Sequence, residues 1–398
     1  MAGGVALAVA MGIGRFAFTP LLPMMLADGV IDLRAASWLA SANYFGYLVG
    51  AILCTLQPWI WRRLGNPPAL RGPAWVRGGL VATCLLTLGM AIHLPALWPV
   101  LRFAAGVASA VVFVYTSGWC LAQLARMGLP AMGALIYTGP GGGIVLSGLA
   151  ASAMVALGGS AATGWLIFGV LAAALTALVW TVFQPASAIA TSAAPAATAT
   201  SAGAAGQHHG HTEIALLTLA YGLAGFGYII TATFLPVIAR QALPDSHWLD
   251  LFWPLFGLGV VAGALVASRL RIKTDLRWML VGCYVIQAMG VMASLVSPSL
   301  AGFAIGSLLL GLPFTAITFY GMQEVRRLRP GHAPSFMGLL TAMYGVGQIV
   351  GPPLAAAMLA RSTTPGQGFT LSLEIAAAAL AAGAALYALM VRLFPNRG

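Results

Sequence analysis

Two arginines stand where arginine is costly. Arg15 and Arg102 each lie inside a long apolar stretch. A guanidinium at the centre of a membrane helix costs roughly 2.5–3.5 kcal/mol on insertion scales. Such a group needs a wet cavity, a partner or a ligand, and its planar fork of donors suits a carboxylate. In Gly12-Ile-Gly14-Arg15-Phe-Ala-Phe-Thr19-Pro20-Leu-Leu-Pro23, the residues Gly12, Arg15, Thr19 and Pro23 recur at three or four positions and share one helical face. Arg102 heads a similar stripe through Gly106, Ser109 and Phe113. Two readings stand for both arginines: an anion site, or a structural group satisfied by backbone carbonyls.

The other polar groups are sparse. Tyr221 and Tyr228, Thr315 and Thr318, Tyr344 and Gln348, Asn43 and Tyr47, and Tyr137 all fall within apolar runs. Each either touches a ligand or bonds a neighbouring helix. Asp250 and Glu374 are read as the deepest of the eight carboxylates, each within two turns of an outer helix end. They are the candidate proton carriers, beside the bland reading of interfacial solvation. The inner arginines therefore have no evident counter-ion, and a positive cavity suits an anion. No HExxH, HxxxD or GxSxG pattern accompanies His93 or His247, and no Walker A motif occurs, which argues against an enzyme. No cofactor and no metal site are expected. Cys54, Cys84, Cys120 and Cys283 form no CxxC pair and read as small buried hydrophobes. His208, His209 and His211 read as a solvated tract.

Composition sets the stage for these groups. Of 398 residues, 60% are hydrophobic and 7% charged. A soluble domain carries about 25% charged residues, so the chain is an integral membrane protein. The net charge of +11 comes without a basic stripe interleaved with aromatics, so no nucleic-acid partner is expected. A span needs about 20 apolar residues. Twelve candidates follow, at roughly 3–27, 36–57, 77–94, 97–124, 131–157, 161–183, 213–239, 248–268, 278–297, 299–322, 335–360 and 369–393. The first reads as a span rather than a cleaved leader, for want of a basic segment before it. With the N-terminus inside, fourteen basic residues, among them Arg62, Arg63, Arg71, Arg77, Arg126 and Arg277, face the cytoplasm, against Arg34, Arg240 and Arg361 outside. That bias places both ends in the cytoplasm.

The chain repeats itself. Gly12, Gly14, Leu22 and Pro23 align with Gly225, Gly227, Leu235 and Pro236. Met132-Gly133 and Gly142-Gly143-Ile144-Val145 align with Met337-Gly338 and Gly347-Gln348-Ile349-Val350. Two parallel six-helix halves, residues 1–184 and 213–398, are expected around an Ala/Ser/Thr/Pro-rich cytoplasmic linker at residues 185–212. Gly46 and Gly50 read as helix-packing positions. Pro20, Pro23, Pro140, Pro236, Pro313 and Pro352 interrupt helices, either to serve rocking gates or merely to curve them.

This plan resembles the major facilitator superfamily. Arg102 followed by Gly106 is similar to the family's fourth-helix motif. Gly139-Pro140-Gly141-Gly142-Gly143 resembles the fifth-helix motif frequent among antiporters, although Ile144 stands where a closing glycine is expected. Trp61-Arg62-Arg63-Leu64-Gly65-Asn66 keeps the basic character of the loop after helix 2 but lacks its Asp. The opening run, together with Asn43-Tyr44-Phe45-Gly46-Tyr47, resembles the YbfB/YjiJ branch. The resemblance implies an all-α membrane protein, a monomer in the inner (plasma) membrane, with a central cavity lined by spans 1, 4, 7 and 10. It implies secondary transport of a small organic solute by alternating access with proton coupling. Efflux is favoured over uptake while the direction stays open. Within the cavity Arg15, Thr19, Asn43, Tyr47, Arg102, Tyr137, Tyr221, Tyr228, Thr315, Thr318, Tyr344 and Gln348 are the expected ligand contacts. Gly139, Pro140, Gly142, Gly143, Pro23 and Pro236 are the expected conformational positions. A channel, a ligand-sensing receptor and a membrane enzyme are the alternatives.

Overall fold

The apolar runs fold into helices because lipid offers backbone groups no hydrogen-bond partner, so each segment must satisfy its own. The computed structural model describes residues 1–65, 72–128, 135–184, 211–244, 246, 248–270, 275–329 and 333–395. The expected linker up to residue 210 lies outside them, as do Arg71, Met132, Gly133, His208, His209, Asp245, His247, Arg271, Lys273 and Arg397.

Twelve long helical segments follow one another. They are α1 (Ala2–Ala27), α2 (Leu33–Arg63), α3 (Gly72–Gly89), α4 (Trp98–Arg126), α5 (Thr138–Ala156), α6 (Ala161–Val179), α7 (His211–Ala242), α8 (Phe252–Arg269), α9 (Leu276–Val296), α10 (Leu300–Leu328), α11 (Ala333–Arg361) and α12 (Pro365–Leu393). No strand occurs among the described residues. Side chains of Asp32, Ser160, Asp275, Ser299 and Thr364 cap the first turns of α2, α6, α9, α10 and α12.

Eleven of these segments are long and apolar enough to cross a membrane; α3 is the exception. It begins five residues before the expected 77–94 span and ends in the turn at Met90–Ile92. Arg77, read from sequence as a loop residue, therefore sits inside the helix. Its guanidinium lies 4.4 Å from the centroid of the Trp180 ring and donates to the Trp180 carbonyl at 2.7 Å. A long side chain reaches the interface from within a helix in this way, so a basic residue need not mark a loop.

Packing repeats between the halves. α1 lies on α5 as α7 lies on α11, α2 on α4 as α8 on α10, and α3 on α6 as α9 on α12. α2 against α11 and α5 against α8 join the halves. Glycines set these approaches. A Cβ on Gly46 would strike the Phe103 carbonyl and one on Gly106 the Asn43 carbonyl; in the second half, one on Gly263 would strike the Leu312 carbonyl.

Candidate functional site

The site begins with a break in α1. Ala2–Leu7 is α-helical, Ala8–Ile13 forms a π-helical turn, and α-helix resumes at Phe18. The Gly14 and Phe16 N–H groups reach five residues back, to Val9 and Met11 carbonyls at 2.9 and 3.0 Å. Pro20 has no N–H to give, and the Thr19 N–H turns to the Phe16 carbonyl at 3.2 Å. Arg102 supplies the missing donors. Its Nη1 and Nη2 donate to the Gly14 and Arg15 carbonyls at 3.2 and 3.0 Å, and its guanidinium lies 5.0 Å from the centre of the Phe18 ring. One turn on, Ser109 Oγ donates to the Ala10 carbonyl at 2.7 Å. Asn43 Nδ2 donates to the carbonyl of Arg102 itself at 2.9 Å. Arg102 is thus placed on backbone carbonyls, the second of its two readings.

The bend swings Arg15 toward the second half. Its Nη2 donates to Gln348 Oε1 on α11 at 2.5 Å, and Gln348 Nε2 donates to the Tyr228 hydroxyl on α7. The guanidinium lies over three rings, with its carbon 4.3 Å from the Tyr47 centroid, 5.3 Å from Tyr44 and 5.2 Å from Phe16. A desolvated cation–π contact contributes about 2 kcal/mol or more, enough to offset much of the cost of holding Arg15 in the membrane. Arg15 is 4% exposed and its Nε has no hydrogen-bond partner. No carboxylate pairs with it among the described residues.

An aromatic ladder continues from this point. Tyr228 stacks on Tyr344 at 5.8 Å and meets Phe314 edge-on at 5.0 Å; Tyr221 packs on Tyr344 at 5.1 Å; Phe314 meets Phe16 at 6.3 Å. Thr19 Oγ1 donates to the Ala232 carbonyl at 2.9 Å, Tyr44 shares a hydrogen bond with Thr233 at 2.9 Å, and Ser41 Oγ donates to the Ile349 carbonyl at 2.9 Å. These three bonds cross between the halves on the Ala27 side of Arg15.

The remaining expected residues distribute as follows. Tyr47 lies at the Arg15 site, and Tyr137 joins its periphery through Phe113, which is 6.4 Å from Tyr47 and 6.0 Å from Tyr137. Thr315 Oγ1 is buried without a partner, and Thr318 lies one turn further along α10. Pro23 and Pro236 sit buried inside α1 and α7. Gly139 and Gly143 press on the backbone of α1 at Gly4 and at Ala8 and Gly12; Gly141 presses on α8 at Gly257. Gly142, named with them as a conformational position, takes no part in these contacts. It is exposed, and a Cβ there would meet nothing within 4 Å, because its helical angle turns it from both neighbours. Pro140 is buried between these contacts. Neither candidate proton carrier touches Arg15. Asp250 accepts from Arg240 Nη2 at 2.6 Å, and Glu374 lies on an exposed face of α12.

Sequence reasoning passed over a second charged centre. Arg277, fully buried, contacts Glu213 Oε1 at 3.2 Å, Asp275 Oδ2 at 2.7 Å and Glu324 Oε1 at 3.7 Å. It also donates to the carbonyls of Met390 and Phe394 at 3.1 and 2.8 Å. Arg327 pairs with Glu324 at 2.5 Å. The cluster ties together the ends of α7, α9, α10 and α12. Burial raises the Asp275 carboxyl, but hydrogen bonds from the Arg277 side chain and backbone, and the charges of Arg277 and Arg327, bring it below its ordinary 3.8. The signal in sequence was the helical placement of Glu213 and Glu324 rather than their number.

Comparison with known proteins places the fold. A crystal structure of a variant of the nucleoside transporter NupG superposes with a TM-score of 0.71, covering 98% of this chain and 100% of that one at 13% identity. No curated protein matches the sequence. The family described as "Uncharacterised MFS-type transporter YbfB" matches residues 7–388. With twelve helices in two like halves and a match along nearly its whole length, the chain belongs to this YbfB family of multi-pass major facilitator transporters.

Proposed function

We propose that the protein carries a small organic anion across the inner (plasma) membrane by alternating access, and that Arg15 binds the acid group. One observation carries the reading: a buried arginine with an unpartnered Nε and no carboxylate, lodged where the two halves meet. Arg102 is assigned as the splint of α1, so a single cation is left for the cargo. Residues 1–184 and 213–398 rock about the site, with the segment 185–212 and both ends in the cytoplasm. Asp250 and Glu374 lie off the site, so neither is assigned a coupling proton.

A thermal-shift screen of organic acids on the purified protein supplies probes for the test. Arg15→Ala should then abolish binding and transport in proteoliposomes, a loss of about 2–5 kcal/mol by analogy with buried charge pairs. Arg15→Lys should impair both, because lysine lacks the bidentate fork. A folded Arg15→Ala protein with wild-type affinity would remove the anion site.

A further inference from the structure

The group bonded to Arg15 in this structure is an amide whose oxygen stands where an acid oxygen would stand. Gln348 Oε1 accepts from Arg15 Nη2 at 2.5 Å, while its own Nε2 is turned to the Tyr228 hydroxyl. An amide offers the guanidinium one oxygen. A carboxylate offers two in a plane, matching the fork, with a full charge. Arg15 Nε, buried and unpartnered, is the donor that the amide leaves unused. The Tyr228 hydroxyl accepts from that amide, so its own O–H can donate to the incoming acid.

The surroundings restrict what else the cargo can be. Both terminal nitrogens of Arg102 are taken by the Gly14 and Arg15 carbonyls and only its Nε is left, so Arg102 cannot present a two-pronged fork to a second acid group. Of the polar groups nearest the site, Thr19 donates to the Ala232 carbonyl, Asn43 Nδ2 to the Arg102 carbonyl and Tyr44 shares a bond with Thr233, while Asn43 Oδ1 and Thr315 Oγ1 are buried without a partner. Among the described residues no carboxylate faces Arg15 to receive an ammonium group. What the layer presents is ring faces, on Tyr47, Tyr228, Tyr344 and Phe314. Flat unsaturated rings pack on such faces in offset or edge-on contact.

We propose that the cargo is an aromatic monocarboxylate, and that Gln348 is the place-holder its carboxylate displaces from Arg15. The proposal rests on the anion-site reading above and adds the class of cargo and the role of Gln348.

The test measures binding to the full-length purified protein with named probes: benzoate, 2-naphthoate, cyclohexanecarboxylate, phthalate and benzamide. Benzoate and 2-naphthoate should bind. Cyclohexanecarboxylate should bind about tenfold more weakly for want of ring contacts, and phthalate and benzamide should be weaker still. Gln348→Glu sets a permanent carboxylate against Arg15 and should weaken benzoate about a hundredfold, in line with a desolvated charge pair. Gln348→Ala should bind benzoate at least as tightly as the parent, having no amide to displace. Unchanged thermal unfolding without ligand certifies both variants as folded. Equal binding of cyclohexanecarboxylate and benzoate would overturn the aromatic class, as would phthalate binding best. Wild-type benzoate affinity in Gln348→Glu would overturn the place-holder, while loss of binding in Arg15→Ala would leave the anion site standing. Binding of none of the carboxylates, or binding indifferent to Arg15→Ala, would defeat both readings together.

Discussion

Three buried guanidinium groups are held in three ways, and the difference decides what each can do. Both terminal nitrogens of Arg102 are taken by carbonyls, with its Nε buried and unpartnered, and Arg277 is held by carboxylates and carbonyls. Arg15 is held by ring faces and one amide and keeps a donor in reserve. Removing one partner from a buried ion pair costs about 3–5 kcal/mol. Arg277→Met should therefore lower the thermal unfolding temperature in detergent markedly, and an undisturbed transition would show the cluster to be idle. The pH dependence has a definite sign. Asp275 is held below 3.8, so its contribution is full above that value and disappears as pH falls through the lower, folded value. The stability gap between the parent and Asp275→Asn should be constant from neutral pH down to about 4 and close below it. A gap that closed between pH 7 and 5 would refute this. At this scale the sequence marked Arg15 and Arg102 by their cost in an apolar run. It could not name their partners: a backbone carbonyl leaves no trace in composition, and Gln348 lies 333 residues from Arg15. Glu213 and Glu324 stand near span ends, where water is the default partner, so nothing in the sequence joins them to Arg277.

The helices themselves were the most legible feature, because bilayer thickness imposes a minimum apolar length on each. The interruption of α1 was less so. A π turn keeps the composition of the helix around it, and only the pair Gly12 and Gly14 with Pro20 hinted at it. The glycines of α5 divide by face in a way that spacing alone did not settle. Gly143 meets Ala8 and Gly12, whereas Gly142 meets nothing within 4 Å. Gly143→Leu should overpack this contact at a cost of about 1–3 kcal/mol or more. It should also cut the yield of monodisperse protein. Gly142→Leu should leave yield and unfolding temperature as they are. Equal damage from the two would mean that the α1–α5 contact does not depend on this face.

For the whole molecule, the repeat read from Gly12, Pro23, Gly225 and Pro236 reappears as matched helix pairings in the two halves. The bonds that join the halves on the Ala27 side of Arg15 were invisible beforehand, because they are ordinary hydroxyls meeting carbonyls and each other. Orientation rests on the bias of basic residues. A cysteine at Thr363, between α11 and α12, should label in intact cells with a membrane-impermeant maleimide. One at Thr198 should label only after permeabilisation, and the reverse pattern would invert the protein. Helix α3 adds a consequence for biosynthesis. Arg77 is seated by the carbonyl of Trp180, which lies 103 residues further along the chain. At synthesis rates of about 5–20 residues per second, roughly 5–20 s pass between the emergence of the two. During that interval the one helix of the twelve that is not by itself apolar enough to cross a membrane stands with its charge unseated. Arg77 is therefore seated only once α6 has been made, after α3 has met α4.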